Sequence, residues 1–283
     1  MSIAEFLYTT VLASPKVRAF ANALILKILP VSVRIGDARV VLNPRDPVVS
    51  GALTLRVYEN REIAMFRRVL KPGQIVVDVG ANVGLYTALA GLGIGSTGRV
   101  FAFEPEPESF QYLEKTIARN QLGNAVAVRA AATNEDGEAP LFTSSSNRGD
   151  HRLYESQLSD GCTTVRTVRL DDYLGSMGVS SVDIVKIDVQ GFEGHVIAGM
   201  EDTIRRSPGL FLLMEFWPAG LVAAGTDPLG LLDRLGELGL SLHEVRRGGK
   251  FYALHDRHAL LARLRGRKYT NLALLGPQAE WAK

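Results

Sequence analysis

The sequence predicts an α/β fold built on a parallel sheet with crossover helices, and three observations carry the prediction. From residue 75 onward, short β-rich apolar runs alternate with segments of helical period. One of these runs, Val76-Val77-Asp78-Val79, passes directly into a glycine turn, Gly80-Ala81-Asn82-Val83-Gly84. At 283 residues, 46% of them hydrophobic, the chain is long enough to bury the core such a sheet requires.

Taken in order, the chain begins with apolar residues that do not read as an export signal, since Glu5 is present and no early Lys or Arg is. The charge-free runs Phe6–Pro15 and Ala19–Leu26 fall far short of the ~20 residues of a membrane helix. Phe6, Leu7, Val11, Phe20, Leu24 and Ile28 line one face of an amphipathic helix, expected to pack on the core or on a partner. Peripheral contact with a membrane surface is the alternative. Val31–Leu42 reads as a hairpin turning at Gly36-Asp37.

Strands are expected at Ile75–Val79, Arg99–Phe103, Ala125–Ala130, Val182–Asp188 and Leu210–Phe216. A helix beginning near Gly84 carries Leu85, Leu89 and Leu92, and the next, after Pro105 and Pro107, carries Phe110, Leu113 and Ile117. A third aligns Phe192, Val196 and Met200, and a fourth Leu231, Leu232, Leu235 and Leu238. Leu141–Leu170 breaks the rhythm: it is rich in Ser, Asn, Gly and Arg, returns to extended structure at Thr163–Leu170, and is expected to act as a substrate loop. The division is an N-terminal helical extension and hairpin over residues 1–45, then one domain over 46–283 carrying the polar insertion at about 141–170.

Bulk composition excludes some functions. A formal charge of +2 implies no general affinity for nucleic acid. The single Cys162 excludes an intramolecular disulfide and any cysteine-rich zinc site, as expected of a cytoplasmic, reducing location. Residues 246–268 hold eight Lys or Arg against one acid, Asp256, which is placed to cap a short helix bearing Leu260, Leu261 and Leu264. The basic stretch is a solvated face, or else attracts an anionic acceptor or membrane surface.

A buried strand, a glycine turn and a helix together make a ligand site beyond the strand's carboxyl end. Gly80 lets the backbone turn and approach a ligand, and Gly84 permits close helix–strand packing. Glu104 ends the next strand, where a carboxylate accepts both hydroxyls of a ribose. A dinucleotide fingerprint starting at Gly80 would need glycine at 82 and 85, but Asn82 and Leu85 stand there. That disfavours NAD and points to S-adenosylmethionine, a nucleoside with no phosphate, whose amino acid end Asp78 and the amides of Ala81 and Asn82 would hold.

The block Lys186-Ile187-Asp188-Val189-Gln190-Gly191-Phe192-Glu193 sets two acids and a lysine at a strand exit. With VDVGANVG, FAFEP and the Met214–Pro218 segment MEFWP, it makes the chain resemble the FkbM family of methyltransferases, from about Asp46 to Leu240. The family commonly has glutamate where Gln190 stands. The resemblance implies a class I methyltransferase, Rossmann-like fold. Its seven-stranded, mostly parallel sheet would carry helices on both faces, with an antiparallel last strand and with Leu240–Val245 and Asn271–Leu275 as strands six and seven. It also implies O-methylation of a sugar, glycolipid or secondary-metabolite hydroxyl.

An alcohol acceptor needs its proton removed, so a base or a metal ion is expected nearby. Asp188 is the first candidate for base or metal ligand, with Glu215 as its pair and Glu193 at the start of the following helix. His151, in Asn147-Arg148-Gly149-Asp150-His151-Arg152, is the other candidate base. His195 is expected to face outward, and Lys186 to brace the acids. Whether a divalent metal takes part is left open, as is the oligomeric state. An NAD-dependent oxidoreductase and a non-catalytic cofactor-binding protein remain the competing readings.

Overall fold

The computed structural model describes residues 22, 24–56, 59–144, 151–155, 159–246, 250–266 and 268–280. Phe6, Leu7, Val11 and Phe20 of the expected N-terminal helix lie outside the described residues. Leu24 and Ile28, placed on its core-packing face, are 56% and 58% exposed. The half-buried Ile25 instead faces Gly51. The hairpin is present as expected, β1 (Ser32–Ile35) pairing antiparallel with β2 (Ala38–Val41) through a turn at Gly36.

Two helices, α1 (Val49–Thr54) and α2 (Asn60–Val69), lead into β3 (Ile75–Val79). Then follow α3 (Leu85–Gly93), β4 (Arg99–Phe103), α4 (Pro107–Arg119) and β5 (Ala125–Val128). A small sheet comes next: β6 (Ala131–Thr133), β7 (Gly137–Thr143) and β8 (Gly161–Arg169). The chain continues through α5 (Leu170–Ser176), β9 (Ile184–Ile187), α6 (Glu193–Ala198), α7 (Glu201–Arg205), β10 (Phe211–Phe216), α8 (Pro218–Ala223) and α9 (Pro228–Glu237). It closes with β11 (Ser241–Arg246), β12 (Lys250–Ala253), α10 (Arg257–Arg263) and β13 (Thr270–Leu275).

The large sheet runs β12-β11-β13-β10-β9-β3-β4-β5, with β13 antiparallel to both β10 and β11. The seven expected strands are all there, in the order of a class I methyltransferase sheet. An eighth, β12, was not anticipated: it forms a hairpin with β11 inside the basic stretch. β3 and β9 read as nearly unbroken apolar runs because helices cover both faces of a parallel sheet. Strand alternation then divides the core. Val77, Phe101 and Val185 face one cluster with Leu174, Val196 and Leu235, while Val76, Val100 and Ile184 face the other with Phe66, Leu89 and Val40.

Several local expectations are corrected. Leu92, near the C-terminal end of α3, is 40% exposed. The helix aligning Phe192, Val196 and Met200 is two short ones, the Gly199 carbonyl between them accepting the Asp171 amide at 2.9 Å instead of continuing the helical ladder. A Cβ on Gly199 would sit 1.9 Å from the Thr133 carbonyl oxygen. The polar insertion is in large part sheet, β7 and β8 pairing from Gly137↔Thr167 to Thr143↔Gly161. Asp256 does cap α10, accepting the Ala259 amide proton at 2.8 Å, and Leu260 and Leu264 are buried. Part of the basic charge is neutralised locally: Arg246 and Arg263 both pair with Glu244, and Arg257 with Asp233. Among the described residues, no helix is long and apolar enough to cross a membrane.

Candidate active site

The strand order reverses direction at β3, and the carboxyl ends of β3, β4, β9 and β10 open onto one cleft of about 840 Å³. Gly80 adopts φ +76° at the end of β3, and a Cβ there would lie 1.9 Å from the Asp188 carbonyl oxygen. The residue is glycine because two strand ends meet over it, as well as because the chain turns. Gly84 lies outside the cleft; it approaches Leu113 and Thr116 of α4, so its close packing is helix on helix.

Glu104 ends β4, is 6% exposed, and lines the cleft beside Ala81 and Asn82. Its Oε2 accepts the Asn82 amide proton at 2.8 Å and its Oε1 that of Glu106 at 2.9 Å. Burial pushes its pKa up to about 7, against the two backbone donors that favour the carboxylate. Asp78 does not line the cleft. It is fully buried beneath the turn, accepting the Thr87 hydroxyl at 2.6 Å and lying 4.0 Å from Lys186 Nζ. Asp78, expected to contact a cofactor, is thus shut off from the cleft and held by Thr87 of α3 and by Lys186.

Lys186, on β9, is the cation at the centre of the acids. Its Nζ donates to the Gly80 carbonyl at 3.2 Å and stands 3.5 Å from Asp188 Oδ2. Burial works to lower its pKa, but Asp188, Asp78, Glu59 and Glu215 outweigh that and hold it above its ordinary value. Asp188 and Glu215 leave neighbouring strands and both line the cleft, as expected of a pair. Burial, and then the charge of Asp188, keep the Glu215 carboxyl well above the usual carboxylate range.

Glu193 is displaced from the role expected of it. It is fully buried and absent from the cleft wall; Oε1 accepts the amides of Val189 at 3.2 Å and Gly191 at 3.1 Å. It fixes the loop carrying Gln190 and touches nothing in the cleft. His195, expected to face outward, is half-buried: it stacks on Phe192 and contacts the Ala224 carbonyl at 3.0 Å, outside the cleft lining. His151 does line the cleft, but the Ser144 amide donates to its Nδ1 at 3.3 Å. The neutral ring then carries its proton on Nε2 and offers a donor rather than a base. Asn147, Arg148, Gly149 and Asp150 lie outside the described residues.

Sequence reasoning missed Glu59. It precedes α2 at φ +38°, lines the cleft, and accepts the Tyr86 hydroxyl at 2.6 Å. Burial, and secondly Asp188, push its pKa up to about 7. Trp217, Arg152 and Tyr269 complete the outer wall, the Arg152 guanidinium lying 4.8 Å from the Trp217 ring centre. The positive φ of Glu59 is a structural sign of a constrained site residue, but no local sequence signal marks it.

This sheet order, with an acid-ended strand beside a glycine turn and paired acids on the adjacent strand ends, defines a class I methyltransferase. The family model for the methyltransferase FkbM domain matches residues 78–222, just over half of the chain, so the chain belongs to the FkbM methyltransferase family. It is 27% identical over 168 residues to the hexuronic acid methyltransferase AglP of Haloferax volcanii, covering 59% of this chain and 63% of that protein. It is 29% identical over 178 residues to the 2-O-methyltransferase NoeI of Sinorhizobium fredii, covering 58% and 72%. To the 31-O-demethyl-FK506 methyltransferase FkbM of Streptomyces tacrolimicus it is 31% identical over 162 residues, covering 47% and 62%. The chain thus spans 62–72% of the lengths of these relatives.

Proposed function

We propose that the chain transfers the methyl group of S-adenosylmethionine to a hydroxyl of a sugar or similarly hydroxylated small molecule. The observation that carries this reading is one continuous cleft with Glu104 and the glycine turn on one side and the Asp188–Glu215 pair on the other. The names of the relatives support the choice of acceptor, two of them being O-methyltransferases and one acting on a hexuronic acid.

The residues fit the cofactor. Glu104 has its carboxylate at the cleft wall, where ribose hydroxyls would find an acceptor, and Pro105, Ala130, Ala131 and Leu141 supply an apolar surface suited to a purine. The amino acid end would lie along the Gly80–Val83 turn without being held by its first amides, since those of Gly80 and Ala81 donate to the Phe103 carbonyl and that of Asn82 to Glu104. S-adenosylmethionine supplies an electrophilic methyl on a sulfonium. With the cofactor bound, the acceptor hydroxyl would have to give up its proton on taking the methyl, and Asp188 is the group placed to accept it. Lys186 holds Asp188 in place, and Glu215, its carboxyl held well above the usual carboxylate range by burial and by Asp188, orients the acceptor oxygen. His151 donates from the insertion side. Most of the rate enhancement is therefore positioning of acceptor against methyl.

Calorimetric titration with S-adenosylmethionine and, separately, NAD tests the cofactor half; tighter binding of NAD would reject the proposal. Transfer of labelled methyl from S-adenosylmethionine to a panel of glycans and polyhydroxylated metabolites tests the other half. Label appearing only on amines or carbon would overturn the O-methylation reading.

A further inference from the structure

The groups nearest the acid pair are donors supplied by the chain itself. Gln190 sits at φ +54° in the loop between β9 and α6, and its backbone carbonyl accepts the Tyr154 hydroxyl at 2.9 Å. From there the side chain folds back over the pair. Its Nε2 donates to Asp188 Oδ1 at 2.8 Å and to Glu215 Oε2 at 3.2 Å. On the far side of Asp188, Oδ2 faces Lys186 Nζ at 3.5 Å. A primary amide has two protons on nitrogen and none on oxygen, so one NH₂ group serves both acids at once. Turned the other way, the amide oxygen would add one more acceptor to a cleft that already holds Glu59.

Two carboxylates converging from neighbouring strand ends are the beginning of a site for a hard divalent cation, which takes oxygen ligands at about 2.0–2.6 Å. Here the point of convergence is filled by a group that carries hydrogens toward both acids and has no lone pair to give a metal. The ammonium of Lys186 beside Asp188 also repels a cation. Among the described residues, no three His, Cys, Asp or Glu are grouped so as to hold a metal ion. The donor set therefore does not fit the metal site that Asp188 and Glu215 were a candidate for.

We propose that the Gln190 side chain stands in for a divalent cation between Asp188 and Glu215, so that the acid pair is held together without metal and excludes one. Gln190 is then a positioning residue: it fixes the separation of the two acids through its two N–H bonds, and Glu193 fixes Gln190 by holding the amides on either side of it. The inference rests on the reading of Asp188 and Glu215 as the acids of the methyl-transfer cleft, but it is decided by cation binding rather than by turnover.

The test is a titration of Mn²⁺ alone, followed by electron paramagnetic resonance, against the full chain and two variants. Calorimetry with S-adenosylmethionine is run on the same samples. Wild type is expected to leave the free Mn²⁺ signal unchanged. Gln190→Glu adds a third carboxylate at the point of convergence and is expected to bind Mn²⁺ at least about tenfold more tightly than wild type. Adding Asp188→Asn to that variant should remove the gain. Gln190→Gly, which suits the positive φ and so preserves the fold, is expected to gain weaker binding by opening the space. Mn²⁺ binding by wild type that Asp188→Asn removes would overturn the proposal. So would folded Gln190→Glu and Gln190→Gly chains that bind no more Mn²⁺ than wild type. Loss of S-adenosylmethionine binding by wild type itself would strike the methyltransferase reading, while the Mn²⁺ result would still decide what Gln190 does.

Discussion

The Glu104 carboxylate holds the amide of Asn82 at 2.8 Å, so the end of β4 and the turn after β3 form one rigid corner of the cleft. That corner shapes the turn, and under the proposed function it also presents oxygens to a ribose. Glu104→Gln keeps an acceptor for the Asn82 amide but loses the charge and one acceptor. It is expected to weaken S-adenosylmethionine binding about tenfold or more, ~1.4 kcal/mol, and also to lower Tm, because its NH₂ group would face the Glu106 amide that Oε1 now accepts. Calorimetry reads the affinity, and an unaltered Kd in a folded Glu104→Gln chain would remove Glu104 from the cofactor site.

Asp188 separates binding from chemistry. Asn in its place keeps the size and one oxygen but has no basicity, and the neighbouring Lys186 ammonium loses the nearer of its two carboxylate partners. Turnover of labelled methyl should fall to background, while the Kd for S-adenosylmethionine stays within about tenfold of wild type, ~1.4 kcal/mol. Turnover retained in Asp188→Asn would take Asp188 out of the mechanism.

The parts of this molecule legible in its sequence are those whose cause is local. Val76 to Val79 reads as a buried parallel strand because both faces are covered, Gly36-Asp37 reads as a turn, and Asp256 reads as a cap because its bond is to the third residue on. The corner between β3 and β4 shares this property: Glu104 directly follows β4 and meets the turn after β3, as the strand pattern led one to expect. What escaped depends on distant neighbours. The break at Gly199 goes with its carbonyl accepting the Asp171 amide, 28 positions away in the chain and invisible to helical periodicity. Glu59 joins the acids through Tyr86, and Gln190 becomes a bridge only once β9 and β10 lie side by side. Asp78 and Glu193 were correctly singled out as acids at strand and helix ends, but burial turns both away from the cleft.

Burial of Glu193 makes stability depend on pH in a defined direction. Its pKa is pushed from 4.5 up to about 7, chiefly by desolvation. Between those values the folded chain keeps a proton that the unfolded chain has released, so stability falls as pH rises through this window and levels off above it. The slope from one such group is on the order of 1 kcal/mol per pH unit. Glu193→Gln retains an oxygen for the Val189 and Gly191 amides but cannot ionise. Urea unfolding at several pH values from 5 to 8 should therefore show a shallower decline for Glu193→Gln than for wild type. Parallel curves for the two chains would mean that Glu193 does not hold its proton.

Gly199 offers a test of the fold independent of any ligand. Its own backbone conformation is ordinary, so an alanine there carries no intrinsic strain; the obstacle is the Thr133 carbonyl 1.9 Å from the position a Cβ would take. A backbone oxygen in a paired strand cannot rotate aside as a side chain can, so α6 and β6 must separate and the packing of Val196 and Met200 with them. Gly199→Ala is expected to cost about 3 kcal/mol or more, at the upper end of overpacking effects. Gly209→Ala, where a Cβ would meet nothing within 4 Å, serves as the control and should stay within about 0.5 kcal/mol of wild type. Urea unfolding of the two variants gives the comparison directly. Equal midpoints would show that α6 does not lie against β6 as closely as described.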